Sequence, residues 1–152
     1  MIDIDVTITF RKPEYKKINI NEVISNTSLL KFLQPEVGGI VSLSGDLIIT
    51  DNIEMIIIDT DLRWILNFLI HLPETLQNEG YDSLDSDTDP EKIEIKVLGN
   101  EVLIQKLTSF SGNKENPTIN EELLAPTNGF IDVLKKTKET CITLEKLLND
   151  IQ

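Results

Sequence analysis

The alternation of apolar and polar residues at the start of the chain predicts a β-strand. Five apolar residues occupy every second position over the first ten, a period of two that is typical of a strand with one buried and one exposed face. They are Ile2, Ile4, Val6, Ile8 and Phe10. Pro13 ends this strand because proline has no backbone donor for the ladder, and Ile18 and Ile20 indicate a short second strand.

Three further β segments are predicted between residues 40 and 58. Residues 40–43, 47–50 and 53–58 are apolar and rich in isoleucine, and turn-forming residues at 44–46 and 51–52 separate them. The last segment contains four consecutive apolar residues, from Met55 to Ile58, as in strands that are covered on both faces. We therefore interpret it as a central strand.

A leucine-rich helix is predicted over residues 60–78. Asp59 and Asp61 are candidate N-caps, and apolar residues then recur at helical spacing from residue 62 to residue 76. Trp64, Phe68 and Ile70 widen the apolar face, which predicts burial between a sheet and another element. Pro73 is expected to kink this helix or to begin its last turn.

The remainder of the chain predicts a loop, a hairpin and a second long helix. Residues 79–91 are acidic and are read as a loop; residues 93–97 and 102–107 then form a hairpin around Gly99 and Asn100. Residues 121–124 suggest a helical turn, and Asn128 is expected to cap an amphipathic helix at about 129–150. The predicted fold is a single α+β domain over residues 1–152, with an antiparallel sheet of hairpins packed by the two helices.

Composition and length agree with a folded domain and bound its surroundings. With 152 residues, of which 40% are hydrophobic, the chain is long enough to bury a core without staples. Cys141 is its only cysteine, so no intrachain disulfide is possible. The sequence shows neither a secretory signal nor an apolar stretch of the ~20 residues that a membrane span requires. We therefore expect a cytoplasmic protein.

The distribution of charge is the strongest indication of a binding function. The net charge is −12, and residues 46–101 carry fourteen acidic side chains against three basic ones, a balance of −11. Such a field opposes binding to nucleic-acid phosphates and to anionic lipid, so we expect neither as a partner. A basic protein is the complementary partner.

No catalytic or metal-binding residue is assigned from the sequence. Asp85, Asp87 and Asp89 alternate like the first ligands of a calcium loop, but Pro90 and Lys96 stand where that motif needs glycine and glutamate. His71 is the only histidine and has no partner at metal-ligand spacing, and Cys141 is read as a buried apolar residue. We expect no enzymatic activity and no cofactor.

The order of elements resembles that of immunity proteins from bacterial polymorphic-toxin systems. The resemblance lies in hairpins ending at residue 58, a helix that starts at Thr60, Asp61 and Leu62, an acidic loop, a hairpin around Gly99 and a closing helix. It implies an intracellular inhibitor that binds a cognate toxin stoichiometrically through an acidic face. Two alternatives remain: a phage or mobile-element protein that mimics nucleic acid to inhibit a host defence complex, and a carboxylate-based enzyme dependent on a divalent metal.

The partner-binding residues are predicted within the most acidic part of the chain. Residues 79–91 hold six carboxylates and neither lysine nor arginine, and so dense a run is tolerated only where water solvates it. Five of these side chains are expected to contact the partner, with two glutamates at the rim. The five are Asp82, Asp85, Asp87, Asp89 and Glu91, and the rim residues are Glu79 and Glu74. The sequence does not indicate an oligomeric state.

Overall fold

Two four-stranded antiparallel sheets and two long helices make up the fold, in a computed structural model that describes residues 1–33, 43–109 and 117–151. The first sheet has the order β2-β1-β3-β4, and its strands are β1 Asp3–Phe10, β2 Lys16–Asn19, β3 Ser44–Thr50 and β4 Met55–Asp61. The second has the order β5-β6-β7-β8, from β5 Tyr81–Asp85, β6 Glu91–Leu98, β7 Glu101–Thr108 and β8 Thr118–Pro126. The helices are α1 Ile20–Ser25, the 3-10 helix Thr27–Leu33, α2 Leu62–Glu79 and α3 Thr127–Asp150.

The hydrophobic core lies where α2 and α3 pack against each other and against the sheets. The predicted alternation of β1 is confirmed, because Val6, Ile8 and Phe10 are buried while Asp3 and Asp5 are exposed. Both sheets contribute one apolar face to the core, as a half-buried antiparallel sheet must. The predicted α+β class, with both helices on the sheets, is confirmed.

Local capping explains where α2 begins and ends. The Asp61 side chain accepts hydrogen bonds from the backbone amides of Arg63 (2.8 Å) and Trp64 (3.3 Å). It thereby provides an acceptor for two amides of the first turn that have none within the helix. Gly80 ends the helix in the left-handed conformation, with φ at 71° and its amide bonded to the Leu76 carbonyl. The predicted bounds agree to within two residues, and the helix continues through Pro73 to Glu79.

One expectation about α2 is wrong. Trp64 is 50% exposed, although its spacing placed it on the widened apolar face. The buried face of α2 is narrower than predicted and follows its leucines. Trp64 lies on the side of the helix that is separated from β5 by a solvent-filled gap.

The predicted turn at residues 44–46 is also wrong, because these residues lie inside β3. Gly45 is needed there for close packing: a Cβ at this position would lie 2.6 Å from the Thr7 carbonyl oxygen and 3.0 Å from a Leu62 methyl carbon. Asp46 is buried in the strand because Lys17 pairs with it at 2.7 Å. Residues 40–42 of the preceding predicted strand lie outside the described residues.

The strand containing Met55 to Ile58 is not central. As β4 it forms an edge of the first sheet, and Met55 and Ile57 are 53% and 37% exposed while Ile56 and Ile58 are buried. A run of four apolar residues therefore alternates between core and surface. The inference of two covered faces fails because branched aliphatic residues also suit the exposed side of a strand.

Two boundaries late in the chain differ from the prediction. Residues 121–124 belong to β8, since Leu123 and Ala125 alternate into the core and the strand pairs with β7. Asn128 lies within the first turn of α3 and does not cap it. The start of α3 is instead attached to the β6–β7 turn, where the Thr127 amide and hydroxyl donate to the carbonyls of Asn100 (2.8 Å) and Gly99 (3.2 Å).

Candidate functional site: the acidic loop and the adjoining groove

The acidic segment is only partly a loop. Residues 81–85 form β5, an edge strand that pairs with β6, so the irregular part is confined to residues 86–90, here called the acidic loop. The prediction of one long loop was wrong because Leu84 packs into the core and draws its neighbours into the sheet. Asp82 and Asp85 are thereby placed on a strand.

Two hydroxyl groups attach the acidic loop to the end of β4. Thr60 is fully buried; its hydroxyl donates to the Asp85 carbonyl and accepts from the Asp87 amide, each at 3.0 Å. The Ser86 hydroxyl donates to the Asp59 carbonyl at 2.7 Å and accepts from the Asp89 amide at 3.2 Å. These bonds join segments about 27 residues apart in sequence and fix the backbone that carries the carboxylates.

Three carboxylates of this region project into solvent. Asp85, Asp87 and Asp89 are exposed, and within the described ranges their side chains form neither hydrogen bonds nor ion pairs. Since only backbone atoms of these residues hold the loop, the charges are presented by a scaffold that does not depend on them. Their solvation avoids the desolvation penalty that burial would impose.

Asp59 extends the acidic surface onto the first sheet. Its partial burial raises the pKa of the carboxyl, and the negative charges of Asp46, Asp87 and Asp89 raise it further, against an opposing effect of Lys17. Carboxylates from both sheets therefore lie close enough to repel one another. The sequence did not identify Asp59 as part of this surface, because its proximity to residues 87 and 89 arises only when the β4 end meets the loop.

The other four predicted site residues differ from these carboxylates in their surroundings. Glu91 is half-buried and pairs with Lys106 at 2.8 Å, and Asp82 accepts a hydrogen bond from the Ser83 amide at 2.8 Å. Glu74 and Glu79 are exposed near the opposite end of α2. At ~3.3 Å per residue, β5 separates Glu79 from Asp85 by roughly 15–20 Å. The structure thus keeps Asp82 and Glu91 beside the exposed carboxylates, each lining a hollow that Asp85 also lines, and separates Glu74 and Glu79 from them.

A groove of about 380 Å³ lies between α2 and β5. Phe68 and Leu84, both 6% exposed, form its apolar floor. Polar groups and one indole form its walls: Arg63, Trp64, Asn67 and His71 from α2, and Asp82, Ser83 and Asp85 from β5. We call it the α2–β5 groove.

A second hollow of about 390 Å³ lies on the other side of the acidic loop. Asp85 borders both hollows, whereas Asp89, Glu91 and Lys92 border only the second. Lys92 pairs with Glu94 at 2.9 Å, and this hydrogen bond raises the pKa of the lysine. The positive charge nearest this hollow is therefore already used within the second sheet.

The cysteine and the histidine of the chain lie in different surroundings. Cys141 is fully buried in α3, and burial raises the pKa of its thiol to about 12, so it is protonated at neutral pH. Its predicted burial is confirmed. His71 is exposed on the wall of the α2–β5 groove. Among residues 1–33, 43–109 and 117–151, no group of three or more His, Cys, Asp and Glu side chains is placed to hold a metal ion.

Helices long and apolar enough to cross a membrane do not occur in the described part of the chain. Comparison of the sequence with protein-family models and curated proteins, and of the structure with solved structures, gave no match.

Proposed function

We propose that this protein is a stoichiometric inhibitor of the immunity type, which binds a basic protein, its cognate toxin, through the acidic loop and Asp59. The observation that supports this most directly is the presentation of Asp85, Asp87 and Asp89. All three are exposed and unpaired within the described structure, on a backbone fixed by Thr60 and Ser86.

Two properties of this surface favour the proposed function: its negative charge and its fixed backbone. Carboxylates gathered on one surface attract a basic partner over a distance and accelerate encounter, provided that the ionic strength is low. A loop already fixed by hydrogen bonds loses little conformational entropy on binding, so more of the interaction energy appears as affinity. Binding of this kind needs no cofactor and no chemistry, and in this proposal the protein acts in the bacterial cytoplasm.

Identification of the partner is the first experiment. The full chain, immobilised through an added C-terminal tag, would be used to capture proteins from its native host at low salt. We expect mass spectrometry to find a basic protein that elutes when salt is raised. A gene for that protein immediately beside the gene for this chain would support the immunity role, whereas neighbouring phage genes would support the nucleic-acid mimic.

Association kinetics then test the loop. Replacing Asp85, Asp87 and Asp89 by asparagine should lower the association rate constant at low salt about tenfold and flatten its salt dependence. The matched control neutralises three exposed carboxylates elsewhere, with Glu14→Gln, Asp132→Asn and Glu139→Gln. Equal effects of the two triple variants would show that net charge alone matters, and unchanged binding by the loop variant would refute the assigned surface.

A further inference from the structure

We propose that the α2–β5 groove is a binding site for an arginine side chain presented by a protein partner, with the guanidinium lying on the Trp64 indole and donating hydrogen bonds to the Asp82 carboxylate and the Ser83 carbonyl. The groove lies beside the acidic loop, and Asp85, the last residue of β5, borders both the groove and the second hollow. The partner as source of the arginine rests on the proposed function, whereas the groove's selectivity for guanidinium does not.

Trp64 supplies the aromatic surface. It is the only tryptophan of the chain, and it is 50% exposed while Phe68, one turn later on the groove floor, is buried. Indole is the strongest cation–π acceptor among side chains, and tryptophan is enriched at the energetic centres of protein interfaces. A planar guanidinium can stack on the ring and remain partly hydrated.

The β5 wall offers mainly hydrogen-bond acceptors. The Val97 amide donates to the Gly80 carbonyl, and the Ser86 amide donates to the Glu91 carbonyl. In an antiparallel ladder every second residue bonds the partner strand, so the even-numbered residues from 80 to 86 are the ones whose backbone groups face β6. The backbone groups of Ser83 therefore point away from β6, towards the open side of the strand. Asp82 lies on the same face of β5 as Leu84, which forms the groove floor, whereas Asp85 points to the opposite face and lies opposite Lys92 of β6. The Asp82 carboxylate and the Ser83 carbonyl therefore form the acceptor wall of the groove.

Arginine matches this wall better than other side chains. Its guanidinium has five donors in a fixed plane and no acceptor, and it can bond a carboxylate and a carbonyl while its face lies on an aromatic ring. A lysine ammonium is a compact, strongly hydrated charge that cannot stack in this way. The groove is therefore expected to prefer arginine to lysine.

Addition of a whole partner strand to the β5 edge is disfavoured by bonds that already exist there. The Ser83 amide is bonded by the Asp82 carboxylate at 2.8 Å, and the Asp85 carbonyl by the Thr60 hydroxyl at 3.0 Å. A new ladder would have to break both. An inserted side chain leaves them intact, because a carboxylate accepts several hydrogen bonds at once.

The groove's own cation is directed elsewhere. The Arg63 guanidinium donates from Nη1 to the Asn149 Oδ1 atom of α3 at 3.2 Å. This bond orients the resident guanidinium towards the end of α3. Asp82 and the Ser83 carbonyl keep acceptor capacity for an incoming donor.

Nuclear magnetic resonance of the full chain tests the site without a known partner. A ¹⁵N-labelled sample gives a single indole cross-peak, from Trp64. It would be titrated at constant ionic strength with acetyl-Gly-Arg-Gly-amide and, separately, with the lysine counterpart. We expect a saturable shift with the arginine peptide at millimolar concentration and at least threefold weaker binding of the lysine peptide, on the order expected for one stacked, doubly bonded side chain.

Variants identify the residues responsible. Asp82→Asn should weaken binding of the arginine peptide about fivefold, the order expected for loss of one solvent-exposed charge-assisted hydrogen bond. Asp132→Asn removes the same charge on an exposed face of α3 and should change the affinity less than twofold. Trp64→Leu, followed on the Leu84 amide signal, should abolish the preference for arginine over lysine.

The outcomes separate this site from the proposed function. A shift that rises linearly without saturation, or equal affinity for the two peptides that is insensitive to Asp82→Asn, would overturn the arginine site. If partner capture depends on the acidic loop and the titration is negative, the arginine site is overturned and the proposed inhibitor function stands. If arginine binds selectively but the host contains no basic partner, the arginine site stands and the inhibitor function is overturned.

Discussion

The buried Thr60 hydroxyl provides a direct test of how the acidic loop is held. Thr60→Val replaces the hydroxyl by a methyl group of similar size and leaves the Asp85 carbonyl without its 3.0 Å donor and the Asp87 amide without its 3.0 Å acceptor. The Asp87 amide belongs to an exposed residue and can recover a bond to water, whereas the Asp85 carbonyl faces fully buried Thr60. One bond lost and one partly replaced should cost about 2 kcal/mol of unfolding free energy.

Urea unfolding followed by circular dichroism measures this cost. For a chain of this size, about 2 kcal/mol corresponds to a fall in Tm of roughly 4–8 °C, with the urea m-value unchanged because the folded state exposes no new core. Thr50→Val is the control: Thr50 also lies in the first sheet, and in the described structure its hydroxyl makes no hydrogen bond. Hydrogen exchange should accelerate at the Asp87 amide. Equal stability of the two variants, with unchanged exchange at Asp87, would refute the account of the loop's attachment.

Three further predictions concern packing, charge and the thiol. Gly45→Ala should lower the free energy of unfolding by about 3 kcal/mol or more, because the added Cβ would lie 2.6 Å from the Thr7 carbonyl oxygen. Gly129→Ala in α3, with open space around it, should instead raise this free energy by up to about 1 kcal/mol. Urea unfolding measures both. Asp59→Asn should raise the urea midpoint at pH 7, because a carboxyl whose folded-state pKa is raised destabilises the folded protein when it is ionised. The variant should lose this advantage below pH 4, where the carboxyl is protonated in both states. A midpoint that falls at pH 7 would contradict the assignment. Cys141 should react with a thiol reagent at pH 8 only after unfolding, since its pKa of about 12 and its burial keep it protonated and inaccessible; rapid reaction of the folded protein would disprove this.

Elements with a long hydrophobic period could be predicted from the sequence. β1, α2 and α3 repeat their apolar residues over enough positions to predict their type and most of their buried residues, with the exposed Trp64 of α2 as an exception. The errors fall where local composition conflicts with tertiary packing. Gly45 and Asp46 have the composition of a turn, yet they lie in β3 because the strand passes close to Thr7 and because Lys17 neutralises the carboxylate.

The candidate site divides in the same way. The charge run identified Asp85, Asp87 and Asp89, since exposed carboxylates need no partner to be recognised in a sequence. Thr60 and Asp59 could not be assigned to the site, because their role depends on contacts between β4 and the acidic loop that sequence spacing does not encode. Nor could the spacing of α2 show that Trp64 is left exposed, since that depends on where β5 ends relative to the helix.

The distribution of lysines argues that the acidic loop is not there for stability. Lys17 pairs with Asp46, Lys106 with Glu91, and Lys92 and Lys96 both with Glu94, so charge compensation within the fold is directed to carboxylates that are buried or half-buried. The exposed carboxylates of the acidic loop, Asp87 and Asp89, form no ion pair with the described residues, and their negative charges help to raise the pKa of Asp59. A surface that folding leaves uncompensated, on a backbone that hydroxyl groups hold in place, is the arrangement expected when the compensating charge belongs to another molecule.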